Sequence, residues 1–198
     1  MSGADGATGR DAGGAGGDGV VRQVGTREVY RNRWLSLRED EVRLPDGSPG
    51  IYSVVDKPDF ALVIPAERDG FHLVEQYRYP VGGRFWEFPQ GTAPAGTVLA
   101  PVDLARAELA EETGLRAGTL EPLGHLHCAY GMSSQGFDVF LATDLTPGEA
   151  AREATEQDMR QRFVPRAEFE AMIRGGRITD DSTLAAYALL LMRDAGRL

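Results

Sequence analysis

Cysteine is almost missing from this chain: Cys128 is the only one in 198 residues. A single thiol cannot close an intramolecular disulfide and cannot build a cysteine-rich metal site. Clusters of lysine and arginine are missing too, and the net charge is -9. That excludes a basic groove tracking nucleic-acid phosphates. It does not exclude a small phosphorylated ligand, because a bound cation can reverse the local field. No apolar run approaches the roughly 20 residues that span a bilayer. Residues 1–19 lack the basic and apolar regions of a secretory signal. The expectation is a soluble, cytoplasmic protein with no nucleic-acid and no membrane partner.

Residues 1–19 also lack aromatics, and Met1 is their one sizeable apolar side chain. Such a segment buries too little surface to offset its ordering entropy, so a disordered tail is expected there. Residues 20–198 are enough for one domain with a substantial core.

Within that domain, 27–30 and 34–44 read as strands. Leu44-Pro45-Asp46-Gly47 reads as a turn and 51–55 as a returning strand, which makes a hairpin. Residues 61–65 read as a buried strand and 71–78 as another. Residues 79–101, rich in Gly and Pro, read as a long loop with little regular structure. Pro101 is suited to open a helix that runs to about Thr113, and Gly114 is suited to end it. Leu104 and Leu109 are expected to face the sheet. Further strands are expected at 123–130, 137–142 and 161–164. Helices are expected at 166–173 and 181–193, with Leu184, Tyr187, Leu190 and Leu191 as their apolar candidates. Mixed strands with interspersed helices point to an α/β sandwich.

The chemistry concentrates in Glu108-Leu109-Ala110-Glu111-Glu112. Glutamates at these spacings share one helix face, where they repel one another. A divalent cation turns that repulsion into binding, and carboxylates are ligands that magnesium and manganese prefer. The plainer reading is a solvated helix face, with Arg106 pairing one of the carboxylates. His125 and His127 alternate beside Cys128, but no third ligand lies nearby, so a zinc site is not expected.

Gly91 followed by Glu108-Leu109-Ala110-Glu111-Glu112-Thr113-Gly114-Leu115 resembles the Nudix hydrolase signature. Gln76-Tyr77-Arg78, Trp86-Glu87-Phe88-Pro89-Gln90-Gly91 and the 175–180 region are similar to the ADP-ribose pyrophosphatase subgroup. The resemblance covers roughly residues 25 to 195. It implies a Nudix-like α/β/α sandwich with a mixed sheet and an N-terminal antiparallel hairpin. It also implies Mg2+- or Mn2+-dependent cleavage of a nucleotide-sugar, ADP-ribose to AMP and ribose 5-phosphate. Glu108, Glu112, Glu111 and the carbonyl of Gly91 would hold the metal. Glu111 and Glu112 would also serve catalysis, with Glu156 as general base and Glu153 as its alternate. Arg78, Glu87 and Ser133 would meet the substrate. Tyr30, Trp34, Tyr77, Tyr79 and Phe85 could include a base-stacking partner. A homodimer is implied, with the N-terminal strands crossing to a partner.

The departures from the pattern are specific. The loop from Gly91 to the helix is two residues longer, and Thr97-Val98-Leu99 has no glutamate where the family carries one. Ala107 stands in place of the family arginine, with Arg106 one position early. Gln90 stands where alanine is common. Another NDP-sugar, a dinucleotide or an oxidised nucleotide therefore stays open as substrate. So does a weakly catalytic, nucleotide-binding sensor.

Overall fold

Strand β4 (Phe60–Glu67) explains the architecture. Its run Ala61-Leu62-Val63-Ile64 is fully buried, as expected of a strand covered on both faces. Alternate side chains go opposite ways. Leu62 and Ile64 join a core with Phe169, Met172, Tyr187 and Leu190. Ala61 and Val63 join a second core with Leu104, Ala105 and Leu109. The result is helix, sheet, helix, built around one strand.

The computed structural model describes residues 20–94, 96–151 and 158–198. The expected tail at 1–19 and the candidate bases Glu153 and Glu156 lie outside the described residues. The first elements are β1 (Arg22–Arg31), β2 (Ser36–Arg43) and β3 (Pro49–Asp56). They pair antiparallel as a three-stranded sheet, larger than the expected hairpin. After β4 come β5 (Gly70–Arg78), β6 (Gly83–Glu87), β7 (Gln90–Thr92) and helix α1 (Pro101–Thr113). Then follow β8 (Arg116–His127), β9 (Gly136–Thr146), β10 (Arg160–Pro165), α2 (Arg166–Arg174) and α3 (Asp181–Asp194). The mixed sheet runs β10-β5-β4-β9-β8, with β6 on β5 and β7 on β4. Only the β4–β9 pairing is parallel among these.

Three expectations need correction. Residues 79–101 are not a bare loop, because they contain β6 and β7. Glycine and proline mark turns locally, but a short strand exists only where a partner edge accepts it, and β5 and β4 supply those edges. Strand β8 starts at Arg116 rather than Leu123 and stops at His127. Its polar first half is held by pairing with 142–146, not by its own apolarity. Leu191 is 45% exposed, whereas Tyr187 and Leu190 are buried.

Strands β4 and β5 pair only at their joined ends, Ala66 with Phe71 and Glu67 with Gly70. Beyond that they diverge. The segment from β6 through Phe88 and Pro89 to β7 crosses this gap, and Val63 N–H donates to Pro89 O at 2.9 Å. The crossing delivers Gln90 and Gly91 to the side of α1.

The N-terminal sheet docks through β3. Val55 N–H donates to Met132 O at 2.8 Å, and Ser134 N–H donates to Val55 O at 3.2 Å. Ser134 Oγ donates to Asp56 at 2.8 Å, while Arg38 reaches Asp56 at 2.8 Å.

Candidate active site

Helix α1 begins as its sequence dictates. Pro101 occupies the first turn, where a missing N–H costs nothing. Gly114 ends the helix in the left-handed region at φ 73° and donates its N–H to Ala110 O. Leu104, Ala105 and Leu109 turn into the core. That packing fixes the rotation of the helix and turns Ala107, Glu108 and Glu111 toward a cleft of about 740 Å3. The size suits a nucleotide-scale ligand.

Glu112 is only 1% exposed. Its Oε2 accepts the backbone N–H of Gln90 at 3.2 Å. Glu108 packs so closely on Gly91 that a Cβ there would meet the carboxylate carbon at 2.6 Å. A side chain at this position would push the Glu108 carboxylate aside, and φ plays no part in it. Two carboxylates and the β7 backbone thus converge, with Glu111 on the same cleft wall. These are hard oxygen donors, the chemistry that fits magnesium or manganese. Among the described residues no group of three or more His, Cys, Asp and Glu side chains is placed to hold a metal ion by itself. A cation held by one or two carboxylates, with water and substrate oxygens completing its shell, suits such an arrangement. Arg106 does not pair a glutamate of this face through its Nη1, which donates to Ala117 O at 3.1 Å.

Arg78, at the end of β5, lines the same cleft. Its guanidinium pairs with Glu87 of β6, with Nε to Oε2 at 3.2 Å. Gln76 Nε2 donates to the same carboxylate at 2.7 Å. Glu87 is 1% exposed. Burial pushes its carboxyl above the usual range, Arg78 pulls it back, and Asp180 adds a smaller upward push. Glu87 thus holds the Arg78 fork in place and itself lines a neighbouring pocket.

Ser133 is not part of the cleft lining; Gln135, two residues on, is. Ser133 Oγ accepts the Gln135 N–H at 3.1 Å, and Ser133 bridges Val55 of β3. Of the five candidate aromatics, Trp34 and Tyr77 line the cleft. Phe85 lines a neighbouring pocket of about 420 Å3 that shares Arg78 and Asp180 with it. Asn32 Oδ1 accepts the N–H groups of Trp34 and Leu35 at 2.8 and 3.0 Å and so fixes the turn. The Arg33 guanidinium lies 4.0 Å from the Trp34 ring centroid.

The sequence reading missed Lys57, Asp180 and Ser182 on the cleft wall. Lys57 is the only lysine in the chain, a signal that could have singled it out. Asp180 heads a helix and accepts Thr183 N–H at 2.8 Å, a cap legible from its Asp-Asp-Ser-Thr run. Residues 152–157 are bracketed by two anchors. Ala151 N–H donates to Glu111 O at 3.0 Å, and Arg84 Nη2 donates to Asp158 O at 2.8 Å.

Comparison with known proteins follows this geometry closely. Residues 21–55 match a nucleoside diphosphate sugar hydrolase N-terminal domain, and residues 56–186 match a NUDIX domain. An ADP-ribose pyrophosphatase of Mycobacterium tuberculosis is 30% identical over 164 residues, 82% of this chain and 79% of the relative. A methanol dehydrogenase activator of Bacillus methanolicus is 28% identical over 180 residues, 88% and 94% of the two chains. The crystal structure of an ADP compounds hydrolase superposes with a TM-score of 0.78 at 20% identity, covering 93% of this chain and all of that one. At that identity the superposition carries the fold alone. The acidic helix, the Gly91 contact and a domain match over more than half of the chain lead to one assignment: this chain belongs to the Nudix family and is a Nudix hydrolase.

Proposed function

We propose that the chain hydrolyses the diphosphate bond of an ADP-sugar, with ADP-ribose cleaved to AMP and ribose 5-phosphate. One observation carries the reading: Glu108 and Glu111 of α1 and Arg78 of β5 line the same cleft. A diphosphate in that cleft would have its charge met by Arg78 and by a carboxylate-held cation. The relative named an ADP-ribose pyrophosphatase supports the nucleotide-sugar class.

The residues divide the work. Glu108, Glu112 and the Gly91 carbonyl would hold Mg2+ or Mn2+, with Glu111 as a further ligand or as the group that steers a water. The bound cation supplies charge neutralisation on nonbridging oxygens and an activated water. Arg78, oriented by Glu87, grips a phosphate in bidentate fashion. Glu156, with Glu153 as alternate, is the proposed general base. Trp34 and Tyr77 offer ring faces to the base. The working unit is a cytoplasmic homodimer formed through the N-terminal sheet, with residues 20–198 as one domain.

A second reading rests on the altered signature: a nucleotide-binding sensor with little turnover, since Leu99 and Ala107 cannot form the family's glutamate–arginine pair. One experiment separates the two. The purified protein is incubated with ADP-ribose, other NDP-sugars, dinucleotides and nucleoside triphosphates in Mg2+ or Mn2+, and products are identified. Metal-dependent AMP from ADP-ribose is expected, with Glu112→Gln slowing turnover at least about 100-fold. Cleavage of another panel member replaces the substrate. Tight binding without cleavage of any compound favours the sensor.

A further inference from the structure

Gln90 bonds to both walls of the cleft. Its backbone N–H donates to Glu112 Oε2 at 3.2 Å. Its side-chain Nε2 donates to Asp180 Oδ2 at 3.2 Å. The same Asp180 oxygen accepts Thr183 N–H at 2.8 Å and so caps α3. Next to it, Phe88 N–H donates to Thr183 Oγ1 at 3.0 Å. Strand β7 is therefore stitched to the first turn of α3 by a side chain and to α1 by its backbone. Asp180 and Arg78 line both the main cleft and the pocket of about 420 Å3 beside it. The Gln90–Asp180 bond lies along that partition.

We propose that Gln90 is a positioning residue for diphosphate hydrolysis: its amide clamps Asp180, so that α3 and the metal-binding helix α1 stand at one fixed spacing across the cleft. An alanine at this position cannot make the bond. Without it, Asp180 keeps its capping role but loses its own tie to β7, and the Phe88–Thr183 bond is left as the remaining hydrogen bond described between this segment and the first turn of α3. A charge-assisted bond of this kind, lost from a substrate-lining wall, corresponds to about a tenfold effect on substrate binding.

The proposal rests on the chain's activity as a Nudix hydrolase, but not on ADP-ribose being the substrate. The test therefore uses whichever panel compound the wild type hydrolyses fastest. A wrong substrate assignment appears in the wild type alone and leaves the comparison of variants intact. KM, kcat, Mn2+ affinity by titration calorimetry and Tm are measured for the wild type, Gln90→Ala, Gln90→Glu and Gln90→Glu/Asp180→Asn. For Gln90→Ala, KM is expected to rise about tenfold while Mn2+ affinity changes less than twofold, because the backbone bond to Glu112 survives. Gln90→Glu keeps the volume but sets a carboxylate against Asp180, so its KM rises further than that of Gln90→Ala. Adding Asp180→Asn restores a donor–acceptor pair, and asparagine still caps a helix, so the double variant recovers part of the loss. The reverse order, with Gln90→Glu milder than Gln90→Ala, is what space-filling alone demands and overturns the clamp. So does a fall in Tm with KM unchanged, or a double variant no better than Gln90→Glu.

Discussion

A single missing methyl group decides much of the site. At Gly91 any Cβ would displace the Glu108 carboxylate, so Gly91→Ala is expected to weaken Mn2+ binding about tenfold, the size of effect seen when ligand supports are disturbed. Calorimetric titration of the folded variant checks it, and unchanged affinity would remove Glu108 from the metal shell. A second residue-scale prediction concerns Tyr187. Its hydroxyl donates to Glu170 at 2.7 Å. Burial, and then Glu170, push its phenol from 10.0 up to about 12. The folded state thus keeps a proton that the unfolded state releases. The stabilisation is complete below the unfolded value and is lost as pH rises from there toward about 12. Tyr187→Phe is expected to cost about 1 kcal/mol near neutrality through the lost bond and to flatten that alkaline decline. Urea melts at neutral and alkaline pH measure both.

At the scale of elements, helix α1 was the most legible part of the chain. Proline at its start, glycine at its end and glutamates three and four apart are all local signals, and the helix runs Pro101–Thr113 as expected. Its termination also has a tertiary side. A Cβ on Gly114 would lie 2.7 Å from Gly148 O and 2.8 Å from Ala150 N. Gly47 has a similar φ of 82° but open space around it. Alanine at Gly47 is expected to cost about 1 kcal/mol from the left-handed strain alone. Alanine at Gly114 is expected to cost about 2–3 kcal/mol, because strain and collision add. Thermal melts of the two variants isolate the collision; equal losses would show that the 148–150 segment simply moves aside. Strands β6 and β7 were not legible, since their glycines and the prolines that flank them read as loop while their pairing partners lie elsewhere in the chain.

At the scale of the molecule, the N-terminal sheet leaves apolar side chains in solvent. Ile51 is 67% exposed, Val24 58% and Tyr30 56%. Among the described residues no helix is long and apolar enough to cross a membrane. The proposed homodimer would cover this face, as exposed apolar area of this kind favours. Ile51→Glu is accordingly expected to shift the sedimenting mass from dimer toward monomer, with Tm changed little at so exposed a site. A wild type that sediments as a monomer at micromolar concentration would refute the dimer.

Sequence alone determined the acidic face, its helix and the family, because helical spacing and capping act over a few residues and leave a periodic trace. The buried strand β4 was legible from a different local signal, a short continuous apolar run. Arg78 and Trp34 were candidates from the resemblance; tertiary structure alone added Lys57, which follows β3, and Asp180 and Ser182 from the start of α3. It also decided that Glu87 is buried under Arg78, and that Gln135 rather than Ser133 reaches the cleft. These neighbours are set by strand pairing and by helices packing on opposite faces of one sheet. Such contacts join residues far apart in the chain, so no local spacing records them.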